Sequence, residues 1–241
     1  MRFIKLSAVS STNDFLKDLV KNQLAKPYMV VSADEQTAGR GQRATNWTSE
    51  AGKNLMFSVL ISRNQTAPPY LFVLNAAIAV SIFQVLKAKN IPNLSIKWPN
   101  DIMSGTKKIS GILIENTLSA TTGVQSIVGI GLNVNQTNFQ DLPNASSLAV
   151  VAKTEFDADE ILKNIVTQIK HNVDSIDNHI QEIWDFYNEK LFRRNLLSNF
   201  ILEDKSVIEA EILGVNQGGQ LVIEHENQQK RYDIKQIQLI Y

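Results

Sequence analysis

The residues of this chain that could do chemistry fall in four short segments between Gln36 and Asn135. The first, Gln36-Thr37-Ala38-Gly39-Arg40-Gly41-Gln42-Arg43, sets two glycines around an arginine. Glycine lets a backbone approach a ligand closely, and arginine offers a planar fork of donors matched to carboxylate or phosphate. The segment is a candidate anion-binding loop, although alone it reads equally well as a solvated surface loop. The second, Lys97-Trp98-Pro99-Asn100-Asp101, puts a lysine at a strand end before a rigid turn, which fixes a positive charge at a sheet edge. Asp101 could contact a magnesium ion carried in by a nucleotide, because Mg2+ prefers carboxylate together with phosphate oxygens. A tight turn with an exposed ion pair accounts for the same residues. The third, Lys107-Lys108-Ile109-Ser110-Gly111-Ile112-Leu113-Ile114-Glu115, places two lysines before an apolar strand. The lysines alone would be a solubilising pair, but Gly111 inside a strand marks a bulge or a close approach by a ligand or another backbone. The fourth, Gly129-Ile130-Gly131-Leu132-Asn133-Val134-Asn135, has two glycines in an apolar strand that ends in polar Asn133. Such a strand can admit a flat ring and hydrogen-bond its edge, or simply twist against a packed neighbour.

These segments need a frame, and the apolar periodicity supplies one. Residues 2–6 resemble a first strand. Ser11 with Asp14 fits a capping box, and the helix that follows carries Phe15, Leu16, Leu19, Val20 and Leu24 on one face. Strands are expected over 29–33 and 55–61, the second a continuous apolar run typical of a buried position. Between them lies a polar loop over 34–53, long enough to suggest function. Pro68-Pro69 opens a helix to about residue 89. A short strand over 94–98 precedes a hairpin over 102–115 that turns at Ser104-Gly105, and another apolar strand follows over 124–134. Asp157, with Glu160 three residues on, opens a helical region to about 192 with a break midway. From Val207 the pattern becomes alternating, with a turn at Asn216-Gln217-Gly218-Gly219, which suggests a small barrel. A domain boundary is expected near Leu196.

Composition excludes several classes of activity. The 24 lysines and arginines balance 24 aspartates and glutamates, which argues against non-specific nucleic-acid binding as the main task. The chain has no cysteine, so disulfides, thiolate metal sites and a cysteine nucleophile are impossible. His171, His179 and His225 are scattered and read as surface histidines. The most apolar stretch, 71–86, is interrupted by Asn75, Ser81 and Gln84 and falls short of the ~20 residues of a membrane span. With no apolar signal segment at the start, a soluble cytoplasmic protein is expected.

No segment decides alone, but their order and spacing do. Ser11-Thr12-Asn13, then the loop 36–43, then Trp47, the Lys97-to-Asp101 run, the Lys108-to-Glu115 run and Gly129-to-Val134 together resemble the biotin–protein ligase family. The resemblance extends to the small C-terminal barrel. It implies an α+β fold: a mixed central sheet with flanking helices, like that of class II aminoacyl-tRNA synthetases, plus an SH3-like barrel. It also implies a catalytic domain over 1–195 and a small domain over 196–241. The activity implied is ATP-dependent formation of biotinyl-5'-AMP, with Mg2+, and transfer of biotin to a lysine of a biotin carboxyl carrier domain. Ser11, Thr12, Asn13 and Gln36 would hold biotin. Gly39, Arg40, Gly41 and Gln42 would form a closing loop, and Gly111 would border the ligand. Lys108 would bridge the biotin carboxylate and the α-phosphate, with Arg40 and Lys97 as further cations. Trp47 would stack over the adenylate, Asn133 would contact it, and Asp101 is the candidate Mg2+ contact.

Two departures from the family pattern matter. Gln42, Ala44 and Thr45 stand where many members carry an arginine, a glycine and a further residue, so the loop has one cation fewer unless Arg43 takes its place. The chain also starts at the ligase domain, without the DNA-binding domain of some relatives, so no DNA partner is expected and the protein would act as a monomer or homodimer. A lipoate–protein ligase is the nearest rival, but the glycine-rich arginine motif associated with it is missing. A non-catalytic biotin- or nucleotide-binding regulator would not need the lysines.

Overall fold

The computed structural model describes residues 1–42, 45–63, 68–119, 123–140 and 142–241, the side chains of 68–71 and 118–119 excepted. The expected α+β class is what it contains. Seven strands form one mixed sheet: β1 (Arg2–Val9), β2 (Met29–Gln36), β3 (Leu55–Arg63), β4 (Leu94–Lys97), β5 (Asp101–Ser104), β6 (Lys107–Ser119) and β7 (Gly123–Leu132). Their spatial order is β1-β2-β3-β7-β6-β5-β4. β1 and β2 run parallel and the remaining neighbours antiparallel. Among the described residues five helices accompany them: α1 (Thr12–Lys21), α2 (Pro68–Ala88), α3 (Leu148–Ala152), α4 (Ala158–Asp174) and α5 (Ile176–Glu189). The five-residue α3 has too few periodic positions to announce itself in sequence; Ser147 caps it by accepting from Val150 N.

The caps follow the sequence. Ser11 is the N-cap of α1 and accepts from Asp14 N at 3.4 Å; Asp157 does the same for α4, accepting from Glu160 N at 3.1 Å. α1 is shorter than expected: it stops at Lys21, Gln23 takes a left-handed backbone, and Leu24 is exposed. The expected midway break falls at Ser175, between α4 and α5. α2 is apolar on all sides and correspondingly buried. Its three polar interruptions are used: Asn75 Nδ2 donates to Pro99 O at 2.7 Å, Ser81 Oγ accepts from Asn172 Nδ2 at 2.9 Å, and Gln84 Oε1 accepts from Gln168 Nε2 at 2.9 Å and Asn172 Nδ2 at 3.0 Å.

Alternation along the strands divides the sheet into two unlike faces. One packs Phe57, Val59, Ile112 and Ile130 against α2 and α4 in the main core. The other carries a smaller cluster in which α1 seats Leu16 against Met29, Val31, Leu60 and Ile127. Beyond that cluster the same face changes character: Ser58 pairs with Gly129, Gly129 with Leu113, and Gly111 with Gly131. Three glycines and a serine replace large side chains, so the sheet is left with a trough beside the N-terminus of α1.

The alternating C-terminal pattern forms a second sheet, all antiparallel, corresponding to the expected SH3-like unit. Its strands are β8 (Leu197–Leu202), β9 (Val207–Val215), β10 (Leu221–His225), β11 (Gln228–Tyr232) and β12 (Ile237–Ile240), in the order β11-β10-β9-β8-β12. It is tied to the first by specific bonds. Trp98 Nε1 donates to Gly219 O at 2.9 Å, Val215 N donates to Asn188 Oδ1 at 2.6 Å, and Phe72 fills the space beside Gly219, whose φ is +86°.

Candidate functional site

Two adjoining cavities lie along the α1 face and the edge of the sheet. The narrower, about 50 Å³, is lined by Ser11, Thr12, Asn13, Gln36, Arg40, Gly41, Gln42, Trp47, Lys108 and the three trough glycines, among others. The larger, about 280 Å³, is lined by Lys97, Asp101 and Lys108 on one side and by Phe200, Leu221 and Leu239 of the small sheet on the other. Gln42, Asn100 and Lys108 border both.

The floor of the narrow cavity is a buried hydrogen-bond network. Gln36 Oε1 accepts from Thr12 N at 2.7 Å and from Thr12 Oγ1 at 3.0 Å. Ser58 Oγ lies 2.7 Å from Thr12 Oγ1 and 2.6 Å from Asn13 Oδ1, while Asn13 Nδ2 donates to Glu115 Oε2 at 2.6 Å. Thr12, Asn13 and Ser58 are all at least nine-tenths buried, so these partners fix the amide and hydroxyl directions before any ligand is considered. Gly129 is what makes room for Asn13, whose carboxamide sits where a Cβ would be. Likewise the Trp47 indole lies directly over Gly131, and its edge reaches Gly111. Trp47 Nε1 is buried and has no hydrogen-bond partner among the described residues, leaving a donor for an acceptor brought by a ligand.

The junction of the cavities is cationic. Lys108 Nζ sits 2.7 Å from Asp101 Oδ1 and 5.7 Å from the centre of the Trp47 ring. The Lys108–Asp101 contact is an ion pair whose angles do not make a hydrogen bond. Lys97 Nζ is 3.8 Å from Asp101 Oδ2 and 4.6 Å above the ring of Tyr241. The turn carrying these groups is rigidly held: Pro99 O accepts from Asn75 and from Tyr187 Oη at 3.2 Å, and Asn100 Nδ2 donates to Ile112 O at 2.6 Å. Burial, with Asp101 adding to it, pushes the Tyr187 phenol far above its ordinary range, so it stays a neutral donor. Tyr241 is raised chiefly by burial, then by Asp101, with Lys108 opposing.

The structure therefore gathers nearly all the expected site residues around two connected spaces. Arg40 differs in one respect from the expectation of a fork open to a ligand anion. Its Nη1 and Nη2 donate to the two oxygens of Asp14 at 2.6 and 2.7 Å, because Asp14 projects from the first turn of α1 directly across from the loop. Asn133 lines neither cavity: its Nδ2 donates to Ser146 O at 3.0 Å and its carbonyl accepts from Leu148 N, which ties down the turn before α3. Gly39 stands just behind the cavity, where a Cβ would meet Trp47 O at 2.7 Å. Arg43, the possible substitute for the missing loop cation, and Ala44 lie outside the described residues.

Sequence reasoning overlooked Asp14, Lys17, Ser58 and Tyr241. Ser58 had a readable signal, a hydroxyl within the otherwise apolar run 55–61. Asp14 looked only like part of a cap. Nothing local marks Tyr241, which reaches Lys97 and Phe192 from the end of the small sheet. Among the described residues, no group of three or more His, Asp or Glu side chains could hold a metal ion. Asp101 is the carboxylate among the described lining of the larger cavity.

The chain is similar in sequence and in fold to known proteins. The model of the biotin/lipoate A/B protein ligase family matches residues 6–133. The bifunctional ligase/repressor BirA of Bacillus spizizenii is 30% identical over 191 residues, covering 74% of this chain and 57% of that protein. A biotin–[acetyl-CoA-carboxylase] ligase of Paracoccus denitrificans is 37% identical over 107 residues, 43% of each chain. The chain thus spans between two-fifths and three-fifths of the length of these relatives. A solved structure of the biotin protein ligase from Aquifex aeolicus in complex with biotin and ATP superposes with a TM-score of 0.84 and 26% identity, covering 99% of this chain and 98% of that one.

Proposed function

The chain belongs to the biotin/lipoate A/B protein ligase family, and from that premise we propose that it is a biotin–protein ligase that makes biotinyl-5'-AMP and passes biotin to a carrier lysine. The observation that carries this reading is the position of Lys108 on the wall shared by both cavities, beside Trp47 and Asp101. One cation there can neutralise two anions brought together: the carboxylate of biotin in the trough and the α-phosphate of ATP in the larger space. Biotin, rather than lipoate, is favoured by the relatives, whose names specify biotin.

The two steps need no enzyme nucleophile. A carboxylate oxygen of biotin bonds to the α-phosphorus, the bond to the β-phosphate bridging oxygen breaks, and pyrophosphate leaves. The acceptor amine then bonds to the anhydride carbonyl carbon, AMP departs with the electron pair, and the amine loses a proton to solvent. What the protein supplies is position and charge. Asn13, Thr12 and Gln36, already oriented by Ser58 and Glu115, would grip the ureido ring. Lys97 would face the phosphates. The loop 39–42 with Trp47 would cover the anhydride and keep water from it. Mg2+ would arrive with the nucleotide, and Asp101 would offer it an oxygen.

We place the boundary between a ligase domain, 1–195, and a small domain, 196–241, on the separation of the two hydrogen-bonded sheets. A cytoplasmic location is proposed with it; among the described residues no helix is long and apolar enough to cross a membrane. The test is incubation with biotin, ATP, Mg2+ and a biotin carboxyl carrier domain, read by the mass of the carrier. One biotinyl addition on lysine is expected. An unmodified carrier, with lipoate accepted instead, would overturn the proposal.

A further inference from the structure

We infer that Asp14 is a positioning residue that latches the glycine loop across the narrow cavity through Arg40, an inference that rests on the biotin-ligase reading of that cavity. The base of the loop is held by backbone bonds: Thr37 N to Val9 O at 3.0 Å, Ala38 N to Ser10 O at 2.9 Å and Trp47 N to Gly39 O at 2.9 Å. Within it Gly41 N donates to Thr45 O at 2.7 Å. These bonds shape the loop but do not tie it to the far wall. Arg40 does so, with both ends of its guanidinium on the Asp14 carboxylate. Asp14 follows directly on Ser11, Thr12 and Asn13, the far wall itself.

The pair belongs to an alternating chain of charge. Lys17 Nζ is 3.6 Å from Asp14 Oδ1 and 2.6 Å from Glu115 Oε1, and Arg40 Nη2 is 3.9 Å from the same Glu115 oxygen. Two cations and two carboxylates thus close a ring around the mouth of the cavity, and Glu115 also holds Asn13. The hydrogen bond from Arg40 holds the Asp14 carboxyl below its usual range, with Lys17 helping and partial burial opposing. The two glycines flanking Arg40 let the loop lie close over the cavity, while the fork of Arg40 holds it there.

A latch of this kind should show in what escapes rather than in how fast the chemistry runs. With biotin, ATP and no acceptor, the wild-type protein should release one equivalent of pyrophosphate per site and then stall, because the anhydride stays covered. Asp14→Ala and Asp14→Asn should let the anhydride escape or meet water. Continued pyrophosphate release should rise about fivefold, as should KM for biotin, while KM for ATP and kcat with saturating acceptor stay near wild type. Fivefold corresponds to about 1 kcal/mol at 1.36 kcal/mol per tenfold, the scale of a partly exposed ion pair. Asp14→Glu should recover part of the retention. Arg40→Met should lose retention at least as much as Asp14→Ala, with its kcat left out of the comparison because Arg40 also lines the cavity, and the double variant should retain no less than Arg40→Met alone, since both changes remove one interaction. Wild-type retention in Asp14→Ala, or additive losses in the double variant, would overturn the latch. So would an equal fall in kcat and in melting temperature with retention unchanged. If the wild-type protein releases no pyrophosphate with biotin and ATP, the functional reading fails instead. The latch is then judged on the protein alone, by faster tryptic cleavage in the 39–47 loop of Asp14→Ala, and equal cleavage rates overturn it.

Discussion

The trough of glycines makes a graded prediction about biotin binding. Gly111, Gly129 and Gly131 do not have the left-handed backbone that disfavours side chains, so alanine at each is limited by space rather than by conformation. The obstacles differ. At Gly111 a Cβ would approach the Lys108 ammonium at 3.1 Å and Trp47 at 3.3 Å; the first is the end of a flexible chain and can give way. At Gly131 it would fall 2.5 Å from Trp47 Cζ2 and 2.8 Å from Cδ2, the body of a rigid indole. At Gly129 it would fall 3.0 Å from Asn13 Cγ and Nδ2 and closer still to Oδ1. Asn13 is 4% exposed, so moving it breaks its bonds to Ser58 and Glu115. Losing a buried neutral hydrogen bond and one to a carboxylate costs about 2–4 kcal/mol of folding stability together, and it also takes the Asn13 amide out of the position proposed to grip biotin. Melting should therefore fall along with affinity in this variant, because restricting the unfolded chain returns only about 0.4–1 kcal/mol. Calorimetric titration with biotin on the three single variants, with melting curves alongside, reads both. The expected order of loss is Gly111→Ala smallest, with Gly131→Ala and Gly129→Ala much larger. Wild-type affinity in Gly129→Ala, or a Gly111→Ala variant worse than Gly131→Ala, would refute the trough as the binding surface.

Lys108→Ala should keep the circular dichroism of the wild type and lose about 100-fold or more in biotin-dependent pyrophosphate release, the scale of removing one preorganised charge stabiliser; near-normal release would remove Lys108 from the chemistry. Biotin should shift the intrinsic tryptophan emission by displacing or covering Trp47, and should protect the 39–47 loop from protease. Both effects should vanish in Trp47→Phe if the indole is the moving part, and a full emission change in that variant would assign it to Trp98 or Trp184. Asp14 should titrate below the ordinary aspartate value of about 3.9, as followed by carboxyl carbon NMR. Because its folded pKa is depressed, the Arg40 pair contributes fully above that ordinary value and is lost only as pH falls through the lower folded one. Arg40→Met should bring the titration back toward 3.9, and an unchanged midpoint would show that the carboxyl does not depend on the guanidinium.

Much of this protein is written in local patterns. Apolar periodicity and caps set out β1 to β7, the long α2 and the paired α4 and α5, because each rests on repeats of two or 3.6 residues and on side chains bonding their own backbone. The order of the glycine and lysine motifs also picked out many of the polar and glycine residues along the narrow cavity and at its junction with the larger one, since those chemical types are uncommon inside strands. What the chain order does not carry is direction and partnership across long separations. Arg40 and Asp14 are 26 residues apart, and Lys17 and Glu115 98 apart. Only the packing of α1 on β3 and β7 brings them to one rim, and it makes the loop arginine the partner of a helix carboxylate. Asn133 carries the same lesson in reverse: its type and motif suit a ligand, but the turn over 144–148 reaches its amide first. Tyr241 meets Lys97 only because the small sheet docks on Trp98 and Asn188. Short-range order follows from bonds within a few residues, whereas the rim of the site follows from which faces are buried together, and that is settled when the sheet and helices pack.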